Sequence, residues 1–388
     1  MIDFDALGAS LERAWAGADR DEERFPDLAA DAFEGLAERF DAERFFDAVL
    51  DPQQPGRQHL APTGAFAQPG FTAFHGEGFV LEVYVWSNSL SAIHNHPFCG
   101  AFTVLHGHSI QARYGTSKPS RAGARGQLLD VRLRALDRIR SGDVRKFSLR
   151  RYPLIHALIH IPVPTISMVA RTVRTEGYLR YLPPSIALPM EPLPEPAARR
   201  VALLETLVHI GHRGALDRVC TALRSADFET AVHLLSTTWP GADEEAREAL
   251  WNAAGELHGD RQEAIEAGLS RARRLEEATA IRCGLQDPQH RLCATALAYA
   301  EARSHVEAVL GESSAETSAL LHAFIDEAGL FDSGEEASAT IAHGLVHGED
   351  DAAILATLVQ QYGAEAINAQ RDAIVSYANE SIFSVLRR

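Results

Sequence analysis

Two hydrophobic periods divide this chain. Between about Phe71 and Tyr181 apolar residues alternate in short runs, and on either side of that segment they recur at helical spacing. A period of two sends successive side chains to opposite faces of a strand, whereas a period of 3.6 gathers them on one stripe of a helix, so the two kinds of segment are not interchangeable. The alternating runs are Phe79–Trp86, Gly100–Leu105, Ser109–Tyr114, Gln127–Arg132 and Thr165–Val173. Several short strands separated by Gly and Pro predict an antiparallel sandwich or small barrel.

The flanks read as helices. Leu7, Leu11 and Trp15 form one stripe and Phe33, Leu36, Phe40, Phe45 and Phe46 another, before the Pro/Gly/Gln-rich stretch Asp51–Gly56 breaks the pattern. Six prolines between Tyr181 and Pro196 forbid a helix there and predict an extended connection. Beyond it, residues 197–388 are rich in Ala, Leu and Glu, with turn breaks near Trp239-Pro-Gly, Asp287-Pro, Gly311 and Asp332-Ser-Gly, and suggest eight to ten helices. The expected organisation is α+β and multidomain: a helical segment over 1–50, a barrel over 51–182, a proline-rich linker over 183–196 and an all-α domain over 197–388.

Charge and cysteine content narrow the function classes. The net charge of −16 is uneven, because residues 101–200 carry 17 Lys and Arg against 6 Asp and Glu. That basic middle either attracts an anionic ligand or docks against the acidic helices around it. Its basic residues are not interleaved with aromatics, and the overall charge repels phosphate, which argues against nucleic acid as a partner. The four cysteines, Cys99, Cys220, Cys283 and Cys293, form no Cys-x-x-Cys pair, so neither a disulfide framework nor a zinc knuckle is indicated. An acidic amphipathic start and the lack of any apolar run of membrane length lead to the expectation of a cytoplasmic protein that does not engage a membrane.

The chemistry concentrates at His94-Asn95-His96. Residues two apart on a strand share a face, so both imidazoles are available to one metal ion. Ile93, Phe98, Phe102, Val104 and Leu105 surround them, and in such apolar company an unpartnered imidazole is costly. Downstream, Gly142-Asp143 precedes His156, with His160 as a competitor of the same strand parity.

Together these motifs resemble those of the cupins, whose first motif runs His-x-His, then usually a glutamate, then a Gly, and whose second opens with Gly-Asp and supplies a further histidine. His94, His96 and Gly107 match the first and Gly142, Asp143 and His156 the second, while the glutamate positions hold Gly100 and Ala101. The resemblance implies a metal held by three histidines without a carboxylate, a ligand set similar to that of the thiol dioxygenases. Phe79–Trp86 looks like the strand before their His-x-His, and Pro164 follows His156 at the spacing of the cysteamine type. By motif, the resemblance spans roughly residues 1–181.

Imidazole ligands leave a divalent ion its full charge, which favours anionic co-ligands and leaves positions open for substrate and O2. Fe(II) is the first expectation, with another divalent transition metal as the alternative. The resemblance implies a thiolate on iron and delivery of both oxygen atoms to sulfur. Two departures bear on the substrate. The stretch Phe71–Phe74 lacks the arginine with which cysteine dioxygenase holds a carboxylate, and Arg171 stands four residues after Ser167 where that enzyme has a catalytic tyrosine. Arg171 either faces the pocket as an anion-binding fork or is a barrel-rim arginine paired with an acidic helix. Tyr84 and Trp86 share a face and, with Phe102 and Ser167, either line the pocket or pack in the core.

Elsewhere the signals are weaker. His343 and His347 lie one helical turn apart, and His209 and His212 three apart, with no Glu-x-x-His beside them, so no second metal site is expected from these pairs. His258-Gly-Asp260 mimics a His-x-Asp ligand pair at a helix end. The functional expectation is an iron(II) dioxygenase acting on a thiol or other small anion. A cupin isomerase, lyase or biosynthetic oxygenase at carbon or nitrogen, and a non-catalytic ligand sensor, are the alternatives. The C-terminal helices are left three roles: capping the barrel mouth, forming a homodimer surface, or binding a partner.

Overall fold

A computed structural model describes residues 2–51, 70–87, 92–122, 125–173, 177–239, 242–311, 313–328, 331 and 336–387. The stretch 52–56, Ser91 and the breaks at 240–241 and 332–335 lie outside the described residues. The chain opens with three helices, α1 (Phe4–Ala16), α2 (Phe25–Phe33) and α3 (Ala42–Leu50). Asp3 and Asp41 cap the first and third by accepting from main-chain N–H groups in the first turn.

Thirteen strands follow: β1 (Gly70–His75), β2 (Phe79–Trp86), β3 (His94–Asn95), β4 (Gly100–His106), β5 (His108–Thr116), β6 (Ser120–Ala122), β7 (Gly126–Leu128), β8 (Val131–Arg140), β9 (Val144–Phe147), β10 (Ile155–His160), β11 (Thr165–Thr172), β12 (Leu179–Leu182) and β13 (Ile186–Pro189). They form two curled antiparallel sheets, in the orders β1-β2-β11-β4-β9 and β6-β7-β13-β12-β3-β10-β5-β8. The curled pair is the antiparallel sandwich or small barrel that the alternating runs predict. The run expected over 127–132 is split, because β7 ends at Leu128 and the long strand β8 starts at Val131. The proline-rich connection is extended but not a plain linker, since β13 pairs with both β12 and β7.

Twelve α-helices complete the described chain: α4 (Glu195–His209), α5 (Ala215–Leu223), α6 (Phe228–Thr238), α7 (Glu244–His258), α8 (Gln262–Gly284), α9 (Pro288–Tyr299), α10 (Arg303–Leu310), α11 (Ser314–Glu327), α12 (Glu336–His347), α13 (Asp351–Tyr362), α14 (Ala364–Ala369) and α15 (Arg371–Glu380). That exceeds the eight to ten expected, partly because Gly363, at φ +87°, ends α13 and starts a separate short helix. No described helix is long and apolar enough to cross a membrane.

Each sheet is covered on its outer face. Phe79, Leu81 and Val83 of β2, with Ala101, Leu105, Ile166, Met168 and Ala170, pack against Leu11, Trp15, Phe25 and Phe33 of the first two helices. Ile110, Ala112, Ala157 and Ile159 of the second sheet pack against α9 to α15. The basic middle of the chain also finds its partners here. Arg151 and Lys146 meet Asp27 at 2.5 and 2.9 Å, and Glu23 accepts from the backbone of Arg150 and Arg151. Docking against acidic helices thus accounts for this part of the charge. His258 is likewise structural, buried with Nε2 3.0 Å from the Ala226 carbonyl.

The inner faces meet in a smaller apolar cluster of Phe98, Phe102, Val104, Ile139, Phe147 and Val169. Gly100 sits among them with no room for a side chain: a Cβ there would lie 2.1 Å from the Ala170 carbonyl oxygen and 2.8 Å from the Phe147 ring. Ala101 faces the N-terminal helices instead. Neither position where a cupin glutamate was sought can therefore present a carboxylate inward. Gly100→Ala is expected to cost about 3 kcal/mol, read from the urea midpoint, because main chain and an aromatic ring must both give way. An unchanged midpoint would contradict this packing.

Candidate metal centre

Antiparallel pairing of β3 with β10 sets His156 directly opposite His94. Partners in such a pair project to the same side, and His96, just beyond the end of β3, turns its ring to that side as well. The three rings form a nearly equilateral set, with centroids 4.9, 4.9 and 4.8 Å apart and planes inclined by 62–66°. One ligand nitrogen from each lies within 4.8 Å of the others. His94 and His156 are buried and His96 is half-buried.

Hydrogen bonding orients the rings. Nδ1 of His94 lies 2.7 Å from the Ala92 carbonyl, which makes it the protonated nitrogen and leaves the lone pair on Nε2. The Gln111 amide nitrogen lies 2.8 Å from Nδ1 of His156, while Gln111 Oε1 is buried without a partner. The two ends of a carboxamide are alike in shape, and turned by half a turn Oε1 would accept from Nδ1–H, the tautomer that leaves the His156 lone pair on Nε2 for a metal ion. His96 Nδ1 is buried and lacks a hydrogen bond of good geometry. Its ring stacks on Phe147 at 4.4 Å, and Phe98 meets it edge-on.

Burial holds all three imidazoles neutral. It lowers His94 to about 4, against the opposing pull of the Ala92 carbonyl. His96 and His156 fall well below the ordinary range, first by burial and then by repulsion from the neighbouring rings. Three converging neutral imidazoles, with no carboxylate in the cluster, are a donor set suited to a divalent transition metal. The residues present therefore fit such an ion, with His94, His96 and His156 as its holders.

His160 lies outside this set. It shares the parity of His156 but belongs to the next layer of the barrel, where Trp86 stacks on it at 4.2 Å and Ser109 Oγ lies 2.8 Å from its Nδ1. Burial lowers it to about 3, and Arg282, whose guanidinium donates to its carbonyl, acts in the same direction. In the same layer Trp86 Nε1 donates to Ser167 Oγ at 2.8 Å, so these two residues are engaged with each other away from the three rings. Phe102 is 5.7 Å from the His156 ring and forms part of the apolar wall.

Arg171 turns inward. Its Nε and one Nη donate to Glu82 at 2.7 and 3.2 Å, its guanidinium lies 5.2 Å over the Phe98 ring, and the Tyr84 hydroxyl donates to Glu82 at 2.8 Å. The acid it pairs with is therefore a buried carboxylate on the adjacent strand β2, not one on a helix as the rim reading had it. Glu82 was not singled out from sequence, although a carboxylate sharing parity with Tyr84 and Trp86 in an apolar strand was the available signal. Tyr178, 5.6 Å from the His94 ring, and Gln111 were also missed. Burial pushes the Tyr84 and Tyr178 hydroxyls well above the ordinary phenol range, so both remain protonated donors. Cys99 is buried and its thiol is pushed up by that burial.

No family model matches the chain, and no curated protein matches it. Among solved structures, the chain is similar to the crystal structure of DMSP lyase DddQ from Ruegeria pomeroyi DSS-3, at 14% identity over 47% of this chain and 97% of that one, with a TM-score of 0.27.

Gln111→Leu keeps the volume near His156 but removes the acceptor that fixes its tautomer, and is expected to weaken metal binding by about 10–100-fold in a chelator competition. Unaltered affinity would show that Gln111 does not orient the ring. A second expectation concerns acid. Because the buried imidazoles titrate lower in the folded chain than in the unfolded one, the unfolded chain binds more protons between about pH 6.5 and 4, so metal-free protein loses stability as pH falls through that window. Denaturation midpoints at pH 7 and 5 measure it, and equal midpoints would contradict neutral burial.

Proposed function

We propose that the protein is a metalloenzyme of the three-histidine type, and that with iron(II) in the site it dioxygenates a thiol or another small anionic molecule. The observation that carries this reading is the convergence of three neutral imidazoles in a cluster without a carboxylate, beside the inward-facing Arg171. Iron(II) bound there would supply a redox-active Lewis acid with coordination positions left for an anion and for O2.

The protein's own groups divide the remaining tasks. Phe98, Phe102 and Phe147 exclude water around the histidines and hold the low dielectric that keeps them neutral. Glu82, the nearest buried carboxylate on this face, does not join the ligand set, because Arg171 and Tyr84 occupy its oxygens. It instead fixes Arg171, whose remaining Nη edge serves as the anchor for an anionic group of the substrate. Since Glu82 balances the Arg171 charge, that anchor supplies direction more than net attraction. Tyr178, held protonated, supplies a hydrogen bond to substrate rather than a base, whereas the Tyr84 proton is given to Glu82.

The test is oxygen uptake by iron-loaded protein offered a panel of small thiols. Consumption with formation of a sulfinate is the expected result, and no consumption with any thiol, despite bound iron, would overturn the dioxygenase reading. Arg171→Lys keeps a positive charge beside Glu82 but loses the planar fork, and is expected to raise KM about 10-fold or more with a smaller effect on kcat. An unchanged KM would remove Arg171 from substrate binding.

A further inference from the structure

A second histidine cluster lies at the opposite end of the chain, across α11 and α12. The sequence offered only His343 and His347, one turn apart on α12. The fold brings to them His322 and Asp326, one turn apart on α11. Nδ1 of His322 lies 2.7 Å from Nδ1 of His343, and Nε2 of His343 lies 2.9 Å from an Asp326 carboxylate oxygen. The His322 ring is 4.9 Å from that of His343 and 4.6 Å from that of His347, so it sits between the two.

These contacts assign the protons. A carboxylate only accepts, so a neutral His343 carries its proton on Nε2 and donates it to Asp326, which leaves Nδ1 as a lone pair. The 2.7 Å contact then requires the proton of His322 to lie on Nδ1, and its Nε2 is consequently a bare lone pair. That nitrogen is buried and has no hydrogen-bond partner among the described residues. Burial, then His343 and His347, lower the affinity of His322 for a second proton, which keeps the lone pair available. A metal-ligating imidazole is oriented by donating its other N–H to an acceptor, and His343, itself held by Asp326, stands in that position toward His322.

We propose that His322 Nε2 and His347, backed by the His343–Asp326 pair, form a second site for a transition-metal ion of the zinc type on the α11–α12 face. Imidazole donors suit Zn2+, Ni2+ and Cu2+ and do not suit Mg2+ or Ca2+. Two protein nitrogens leave the remaining positions to water, so this ion exchanges more readily than one held by three buried rings. Because the site is far along the chain from the barrel histidines, its occupancy does not depend on the reading of the barrel as an oxygenase.

The experiment titrates Zn2+ into full-length protein carrying His94→Ala and His156→Ala, which leaves a single barrel donor, and counts bound ions by native mass spectrometry alongside calorimetry. One zinc ion is expected to remain, with affinity at least 10-fold weaker when His322→Gln or His347→Gln is added, and weaker by a smaller factor with Asp326→Asn. His347 is exposed, so its variant tests the site without disturbing the helix packing. If the protein with both barrel substitutions binds no zinc, or binds it equally with His322→Gln or His347→Gln, the cluster is a proton-sharing hydrogen-bond chain only and the proposal is wrong.

Discussion

The register between β3 and β10 is the constraint on which the centre depends. A strand of two residues, His94 and Asn95, is held between β10 on one side and β12 on the other, and His94 stands opposite both His156 and Arg180. A slip of one residue would turn His94 out of the barrel and break the set of three rings. Asn95 helps to pin the position, since its side chain accepts from the Leu179 N–H at 2.7 Å and donates to the Gly177 carbonyl at 3.1 Å. The ligand cluster is thus a property of sheet pairing over a span of 60 residues, and not of the His-x-His motif alone.

Both outer faces of the half-barrel are sealed by helices, which is why the inner face can be given over to polar groups. The N-terminal helices bury one sheet and α9 to α15 the other. Inside, buried side chains are organised in layers. The three histidines with Phe98 and Phe147 form one layer, the Glu82–Arg171–Tyr84 group flanks it, and Trp86, His160, Ser109 and Ser167 form the next. A buried carboxylate at full charge would be costly alone, and the fork of Arg171 with the hydroxyl of Tyr84 offsets that cost. The same pairing keeps Glu82 from competing for a metal ion.

Much of the fold was legible because it rests on local periodicity. The span of β2, residues 79–86, coincides with the alternating run, and β4, β5 and β11 begin or end within two residues of theirs. What escaped was long-range. The alternation of β8, Val-Arg-Leu-Arg, is broken at Ala135-Leu136, and β13 is hidden in a proline-rich stretch whose pairing partners are 60 residues upstream as well as adjacent. In the site, the motif spacing brought forward the three histidines, strand parity brought forward Tyr84, and the resemblance to cysteine dioxygenase, with its serine–tyrosine spacing, brought forward Arg171. Parity does not distinguish layers, so His160 looked equivalent to His156 until the stacking of Trp86 separated them. Gln111 and Tyr178 carry no local signal, because their relevance lies in which ring they touch. The missing glutamate is explained only in three dimensions, by the approach of Ala170 and Phe147 to Gly100.

The central claim is that His94, His96 and His156 together hold one divalent metal ion. X-ray absorption spectroscopy of metal-loaded protein carrying His322→Gln and His347→Gln, so that only the barrel ion contributes, tests it most directly. The spectrum is predicted to show scattering from three imidazole rings, falling to two when His156→Ala is added. An unchanged number of imidazoles in that variant, or coordination by sulfur or by a carboxylate in place of a ring, would contradict the account.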